Sequence, residues 1–302
     1  MAEQLTSPLS TGGAGVVFEY RVAAIMFSRL LRGAHIPVGI QLPVARVALQ
    51  QRNEGYPFDD IVAYAGSRDD GPRIQIQVKR SLKVTGQNAE FVKVMEAALD
   101  VTRTHPDELA DGSLLMGLAA GAPMGELSDL AELTEMARAH ADHRGFQSLL
   151  REGVTNRRLR TRYDHVNSAV AAAAGAADDQ EATPLTHRIL SGLHIWQVLA
   201  GPDDRDWQAE LDGLAVLAAR AGRTAPDIME HLCGFAQEHG PRSGLVDADL
   251  LRRKLLGRFG IRLTPPEGAT ARQGSSITIS NTGSGTVFAG ERQEFHNLRI
   301  GS

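Results

Sequence analysis

Between Ala14 and Arg32, apolar side chains at Val17, Tyr20, Ala24, Phe27 and Leu31 recur at helical spacing, which predicts a helix that Gly33 ends. Residues 1–13 ahead of it read as a flexible leader. Ile36 to Ala48 is rich in alternating and β-branched residues and predicts one or two strands. Gln51 to Pro57 reads as a turn, Phe58 to Ala65 as a strand, and Gly66 to Pro72 as a charged hairpin loop. Arg73 to Ser81 alternates cleanly, with Ile74, Ile76 and Val78 on one face and Gln75, Gln77 and Lys79 on the other. Asn88 to Val101 predicts a helix and Leu114 to Ala120 a short apolar strand. The order is helix, strand, strand, strand, helix, strand.

From Met124 onward the pattern turns helical. Leu127 to His143, Asn156 to Ala174, Leu185 to Leu199, Trp207 to Ala221, Ala225 to His239 and Asp247 to Phe259 all read as helices. The Ala-, Gly- and Asp-rich segment Ala169 to Thr183 marks a helix end and linker, and Pro265-Pro266-Glu267-Gly268 closes the region. After it, Ser275 to Gly290 alternates β-branched with small polar residues, and Phe295 to Ile300 adds one more such run. The expected organisation is an α/β protein with a leader over 1–13, a core over 14–123, an all-α domain over 124–264 and a Gly/Ser/Asn-rich, β-prone tail over 265–302. Such a tail can add strands to a partner's sheet edge or stack with copies of itself, or it can be a plain terminal hairpin or disordered end.

Composition narrows the classes. The chain has 302 residues, 42% of them hydrophobic and only 5% aromatic, so Ala and Leu carry much of the apolar core. The net charge of −4 gives no global attraction to nucleic acid, and any such contact needs local basic patches. One cysteine, Cys233, rules out a disulfide framework or a Cys-based zinc site within one chain and reads as a small buried hydrophobe. Met1 to Gly15 lacks a basic stretch followed by an apolar run, and no stretch approaches ~18 uninterrupted apolar residues. A soluble cytoplasmic protein is expected, with no membrane partner.

The chemistry concentrates in Asp59-Asp60-Ile61-Val62 and Gln77-Val78-Lys79. Two antiparallel strands joined by a hairpin bring Asp60 beside Gln77 and Lys79 near one end. Hydrolysis of a phosphodiester calls for a hard divalent cation on oxygen ligands. Asp60 offers a carboxylate, Gln77 an amide oxygen, and Val78 its carbonyl. Lys79 shares a face with Gln77 and can orient a water or stabilise developing charge. Glu19, on the first helix, is a further candidate ligand or water-positioning group.

Gly15-Val16-Val17-Phe18-Glu19, Asp59-Asp60-Ile61-Val62 and Gln75-Ile76-Gln77-Val78-Lys79, in that element order, resemble the PD-(D/E)XK (restriction-endonuclease-like) nuclease superfamily. The text is similar to the double-stranded-DNA endonuclease domain of bacterial anti-phage effectors, which occurs in cyclic-oligonucleotide-activated systems and fused to STAND-type NTPase sensors. The resemblance covers the first 120 residues and only weakly the helices beyond. It implies a Mg²⁺- or Mn²⁺-dependent DNA endonuclease with Asp60, Gln77, Lys79 and Glu19 as site residues. It favours Asp60 over Asp59, because the family pattern puts the ligand directly before the apolar run. Gln77 departs from the usual Glu or Asp and looks like the Mrr-type variant, with a weaker ligand set. The alternative is a catalytically inactive nuclease-like DNA-binding or scaffold subunit of a defence complex, assembled through the tail.

Arg73, Arg80 and Lys83, then Lys93, lie near these motifs in sequence and are candidate phosphate contacts, as are Arg157 and Arg158 in the run Asn156 to Tyr163. Arg252-Arg253-Lys254 is a weaker patch. His140 and His143 lie three apart with no third ligand in evidence. Thr11-Gly12-Gly13-Ala14-Gly15 follows no strand and lacks a Gly-Lys-Ser/Thr sequel, so it is no nucleotide-binding loop. Activation by a partner is therefore expected, either through a separate sensor or NTPase protein of the same defence system or through homo-oligomerisation.

Overall fold

The computed structural model describes residues 8–51, 55–66, 71–240 and 244–264. Met1–Pro266 forms one compact unit. The second unit, Glu267–Ser302, lies outside the described residues, and with it the expected β-prone tail, as do residues 1–7 of the leader.

The elements run α1 (Pro8–Arg32), β1 (Val44–Leu49), β2 (Ile61–Ala65), β3 (Arg73–Lys79), α2 (Ala89–Thr104), α3 (Pro106–Ala110), β4 (Leu114–Ala120), α4 (Met124–Arg138) and α5 (His143–Leu149). They continue with α6 (Arg157–Ala174), α7 (Asp179–Gly192), β5 (Leu193–Gln197), α8 (Arg205–Arg220), α9 (Ala225–His239), β6 (Leu245–Asp247) and α10 (Ala248–Phe259). The fold is mixed α/β. One six-stranded sheet has the order β5-β4-β3-β2-β1-β6. The pairs β5–β4 and β4–β3 are parallel; β3–β2, β2–β1 and β1–β6 are antiparallel.

Helices cover both faces, which creates two apolar layers. One joins α1, α8, α9 and α10 to Ile61, Ala63, Ile74, Ile76 and Val78 of the sheet. The other joins α2, α4, α6 and α7 to Leu114, Met116, Leu118 and Leu193. A sheet sandwiched this way buries alternate strand positions on both sides. Hence Gln75 and Gln77, on the polar face of β3, are buried rather than solvated.

Local chemistry explains most boundaries. Gly33, with φ +64°, takes the left-handed conformation that ends α1. Asn88 caps α2, its side chain accepting from the Phe91 N–H at 2.9 Å. Asp142 caps α5 and Asp247 caps α10 in the same way.

Several expectations need correction. The region over 124–264 is not all helical, because it supplies both edge strands of the sheet. Leu185 to Leu199 is not one helix: α7 passes directly into β5, where Leu193 pairs with Met116 of β4. A hydrogen-bonding sheet edge beside a β-branched and aromatic run outweighs helical propensity there. β6 is three residues long and pairs with β1. The helix expected over Leu127 to His143 is α4, which begins at Met124 and ends already at Arg138; His143 starts the separate α5. α1 begins at Pro8, so Gly12 and Gly13 lie inside the helix instead of in a leader. Val17 is 47% exposed, and the buried surface of α1 starts at Val22.

Candidate active site

β2 and β3 pair with Ile61 opposite Ile76. One step beyond Ile61, the register brings Asp60 across from Gln77. The Asp60 carboxylate accepts a hydrogen bond from the Val78 backbone N–H at 2.7 Å and another from the Gln77 side-chain amide. Main chain on both sides fixes the residue further, since its carbonyl accepts from the Gln50 N–H at 3.1 Å. Asp60 therefore sits at the start of β2, an interior strand, in a geometry set by two strands and the turn after β1.

Glu19 of α1 lines the same cleft as Asp60, with Tyr20, Leu49 and Gln50. Burial pushes the Asp60 carboxyl up to about 7, against the pull of the Val78 N–H; the nearby Glu19 and Asp59 charges push the same way, and Lys79 opposes them. The Glu19 carboxyl is also raised, first by burial and then by Asp59, again opposed by Lys79. The cleft thus concentrates negative charge that water shields poorly. Lys79 is the cation that both carboxylates feel, and its Nζ lies 3.7 Å from Glu90 of α2.

These residues can hold a divalent cation. Mg²⁺ takes one or two carboxylates and keeps several waters. Asp60 and Glu19 line one cleft and are the carboxylates there that could serve such an ion; burial is the first cause of their raised carboxyls. Among the described residues there is no group of three or more His, Cys, Asp or Glu side chains close enough to hold a metal. The donor set is therefore two carboxylates at most, plus the Gln77 amide. In this structure the nitrogen of that amide faces Asp60, and the Val78 backbone enters through its N–H.

The basic residues divide. Arg80 and Lys83 are exposed on the segment that follows β3, on the Lys79 side of the strand. Arg73 is at the other end of β3, roughly 20 Å away at ~3.3 Å per residue, and pairs with Glu108 at 2.6 Å. Its expected place near the site is corrected: it shares a strand face with Gln77, but not an end. Lys93 pairs with Glu90 at 3.1 Å. Arg157 is exposed on α6, while Arg158 is 2.9 Å from the buried Asp129 of α4 and so ties two helices together. His140 donates through Nδ1 to the Met136 carbonyl, 3.0 Å away, a local contact at the end of α4. Cys233 is half-buried, and burial pushes its thiol up to about 11, which disfavours the thiolate.

Sequence reading passed over several residues here. Gln50, with φ +49°, is the non-glycine residue in the left-handed region among those described, and it lines the cleft. Gln75 is fully buried beneath the site, opposite Val62, with neither amide atom hydrogen-bonded. Glu126 of α4 accepts from the Val84 N–H at 2.7 Å, and Arg162 of α6 donates to the Val84 carbonyl. Together they pin the segment that carries Arg80 and Lys83. Gln50 and Gln75 carry no local sequence signal, and Glu126 and Arg162 look like ordinary helix-face charges.

No helix among the described residues is long and apolar enough to cross a membrane. Compared with known proteins, the chain matches no family model, no curated protein and no solved structure.

Proposed function

We propose that the chain is a metal-dependent endonuclease of the PD-(D/E)XK kind that cleaves double-stranded DNA, a cytoplasmic effector of antiviral defence switched on by a partner or by oligomerisation. One observation carries the reading. A half-buried carboxylate, Asp60, is fixed across a strand pair against Gln77 and Val78, in a cleft with a second carboxylate, Glu19, and in the field of Lys79. The order α1-β1-β2-β3-α2-β4, interrupted only by the short α3, supports it further.

Asp60 and Glu19 would hold Mg²⁺ or Mn²⁺, with the Gln77 oxygen available once its amide turns over. A bound divalent ion supplies Lewis-acid polarisation of a phosphoryl oxygen and a more acidic water. The chain's own groups do the rest. The Val78 N–H holds the Asp60 carboxylate in one orientation. Lys79 sets its ammonium beside the reacting phosphate, where it orients water and offsets developing charge. Arg80 and Lys83 steer the DNA backbone by salt-sensitive contacts that do not read sequence.

A second reading rests on its own observation. Lys79 is already paired with Glu90, and Gln77 turns its nitrogen to Asp60, as in a catalytically silent DNA-binding or scaffold subunit. Retention of duplex DNA with no cleavage and no metal dependence would favour it. Incubating the full chain with supercoiled plasmid in Mg²⁺ and in EDTA, alone and with lysate of phage-infected cells, separates the two. Nicked or linear product that needs Mg²⁺ supports the nuclease.

A further inference from the structure

A recess on the opposite side of the sheet from α1 has no part in the Asp60 cleft. It lies between α5, the loop after it and α6, and measures about 620 Å³. Small-molecule sites span roughly 300–1,000 Å³, so there is room for a compact ligand. Arg144, Arg151 and Arg160 line it, with Gln147, Tyr163 and Asp164.

Three features of this recess belong together. First, guanidinium groups from three different segments converge on it, and among the described residues none of them is in an ion pair. Elsewhere Arg29, Arg32, Arg73, Arg158 and Arg162 all have carboxylate partners. Second, Tyr163 is only 8% exposed, and its hydroxyl is buried with no hydrogen-bond partner. The Gln147 and Thr183 side chains lie beside it and act on it, but neither makes a full hydrogen bond to it, and the Gln147 amide donates to the Thr183 hydroxyl at 3.4 Å. A buried hydroxyl without a partner costs stability unless something completes it. Third, the ring that carries it is locked edge-on against Phe146, with ring centres 5.7 Å apart, so the hydroxyl is preorganised.

We propose that this recess binds a small phosphate-bearing ligand, held by the forks of Arg144, Arg151 and Arg160, with the Tyr163 hydroxyl donating from its floor. Guanidinium groups match phosphate oxygens in a planar, bidentate way, and several together suit a diphosphate or triphosphate better than a single carboxylate. Asp164 lines the same recess and opposes any anion there, so the three guanidiniums leave the lining with a net positive charge of two. The recess is closed in by α5, the loop after it and α6, which suits a compact ligand. No residue of the recess belongs to the Asp60 site, so the two assignments stand or fall separately.

Titration calorimetry of pyrophosphate and of ATP into the full chain at low salt tests the proposal. Saturable binding of either is expected. Arg151→Ala and Arg160→Ala should each weaken it about tenfold or more, the loss typical of a charge-assisted contact. Tyr163→Phe should weaken it several-fold, and Asp60→Asn should leave it unchanged. All three arginines are exposed or half-buried, so the variants should melt like the parent. If neither pyrophosphate nor ATP binds the parent more tightly than an Arg151→Ala/Arg160→Ala double variant, the proposal fails. It fails equally if the double variant alters only the retention of duplex DNA.

Discussion

The Asp60 carboxylate is 2.7 Å from the backbone nitrogen of Val78, a hydrogen bond from one strand to the side chain that precedes its neighbour. That bond favours the ionised carboxylate, yet burial and the neighbouring Glu19 outweigh it and hold the group near pH 7. The residue is kept at a cost that a bound cation would relieve.

The first prediction follows from that conflict. With its folded value raised above the usual carboxylate value, Asp60 favours the folded state fully below about pH 4, and this contribution is lost as pH rises through about 7. Asp60→Asn removes the penalty. Thermal melts without divalent ions should show the variant more stable by roughly 1–3 kcal/mol at pH 8 and equal to the parent near pH 4. A variant less stable at pH 8 would mean that the carboxylate is a structural asset.

Gly121 makes the second. A Cβ there would lie 2.9 Å from the Arg80 carbonyl and 3.2 Å from the Phe18 ring. The missing side chain lets Phe18 of α1 pack close to the segment after β3, next to Glu19, which feels the Lys79 charge. Gly121→Ala should destabilise the protein by about 1–3 kcal/mol and lower any Asp60-dependent activity more than a stability loss of that size accounts for. Denaturation curves and activity well below the melting range separate these effects.

The third concerns the frame behind α1. Glu210 of α8 is 2% exposed and takes Arg29 at 2.8 Å, Arg32, and the Ser28 hydroxyl at 2.8 Å. Removing the buried carboxylate strands two guanidiniums. Glu210→Ala should cost roughly 2–4 kcal/mol, a fall of roughly 5–10 °C in melting temperature for a unit of this size. Glu135→Ala, which breaks an exposed pair with Arg138, should change stability by less than about 0.5 kcal/mol.

How much of this the sequence disclosed depends on range. The pairing of Asp60 with Gln77 was legible because a hairpin ties strand register to the local alternation of apolar side chains. The burial of the Gln75 and Gln77 face was not, since α4, α6 and α7, which build much of the apolar layer on that side, lie far along the chain. β5 hid at the end of an amphipathic helix, and its partner Met116 is a whole helical layer away in sequence. Arg73 was misplaced because alternation reports the face of a strand but not the distance along it. The left-handed Gln50 and the pairing of Lys79 with Glu90 left no trace in residue type or spacing.

Cleavage of supercoiled plasmid by the activated protein in Mg²⁺, parent against Asp60→Asn and Lys79→Ala, bears most directly on the central claim. The account predicts nicked and linear products from the parent and a loss of about 100-fold or more in each variant, while both keep the parent's affinity for duplex DNA within a few-fold. Equal cleavage by parent and Lys79→Ala, or cleavage undiminished by EDTA, would contradict it.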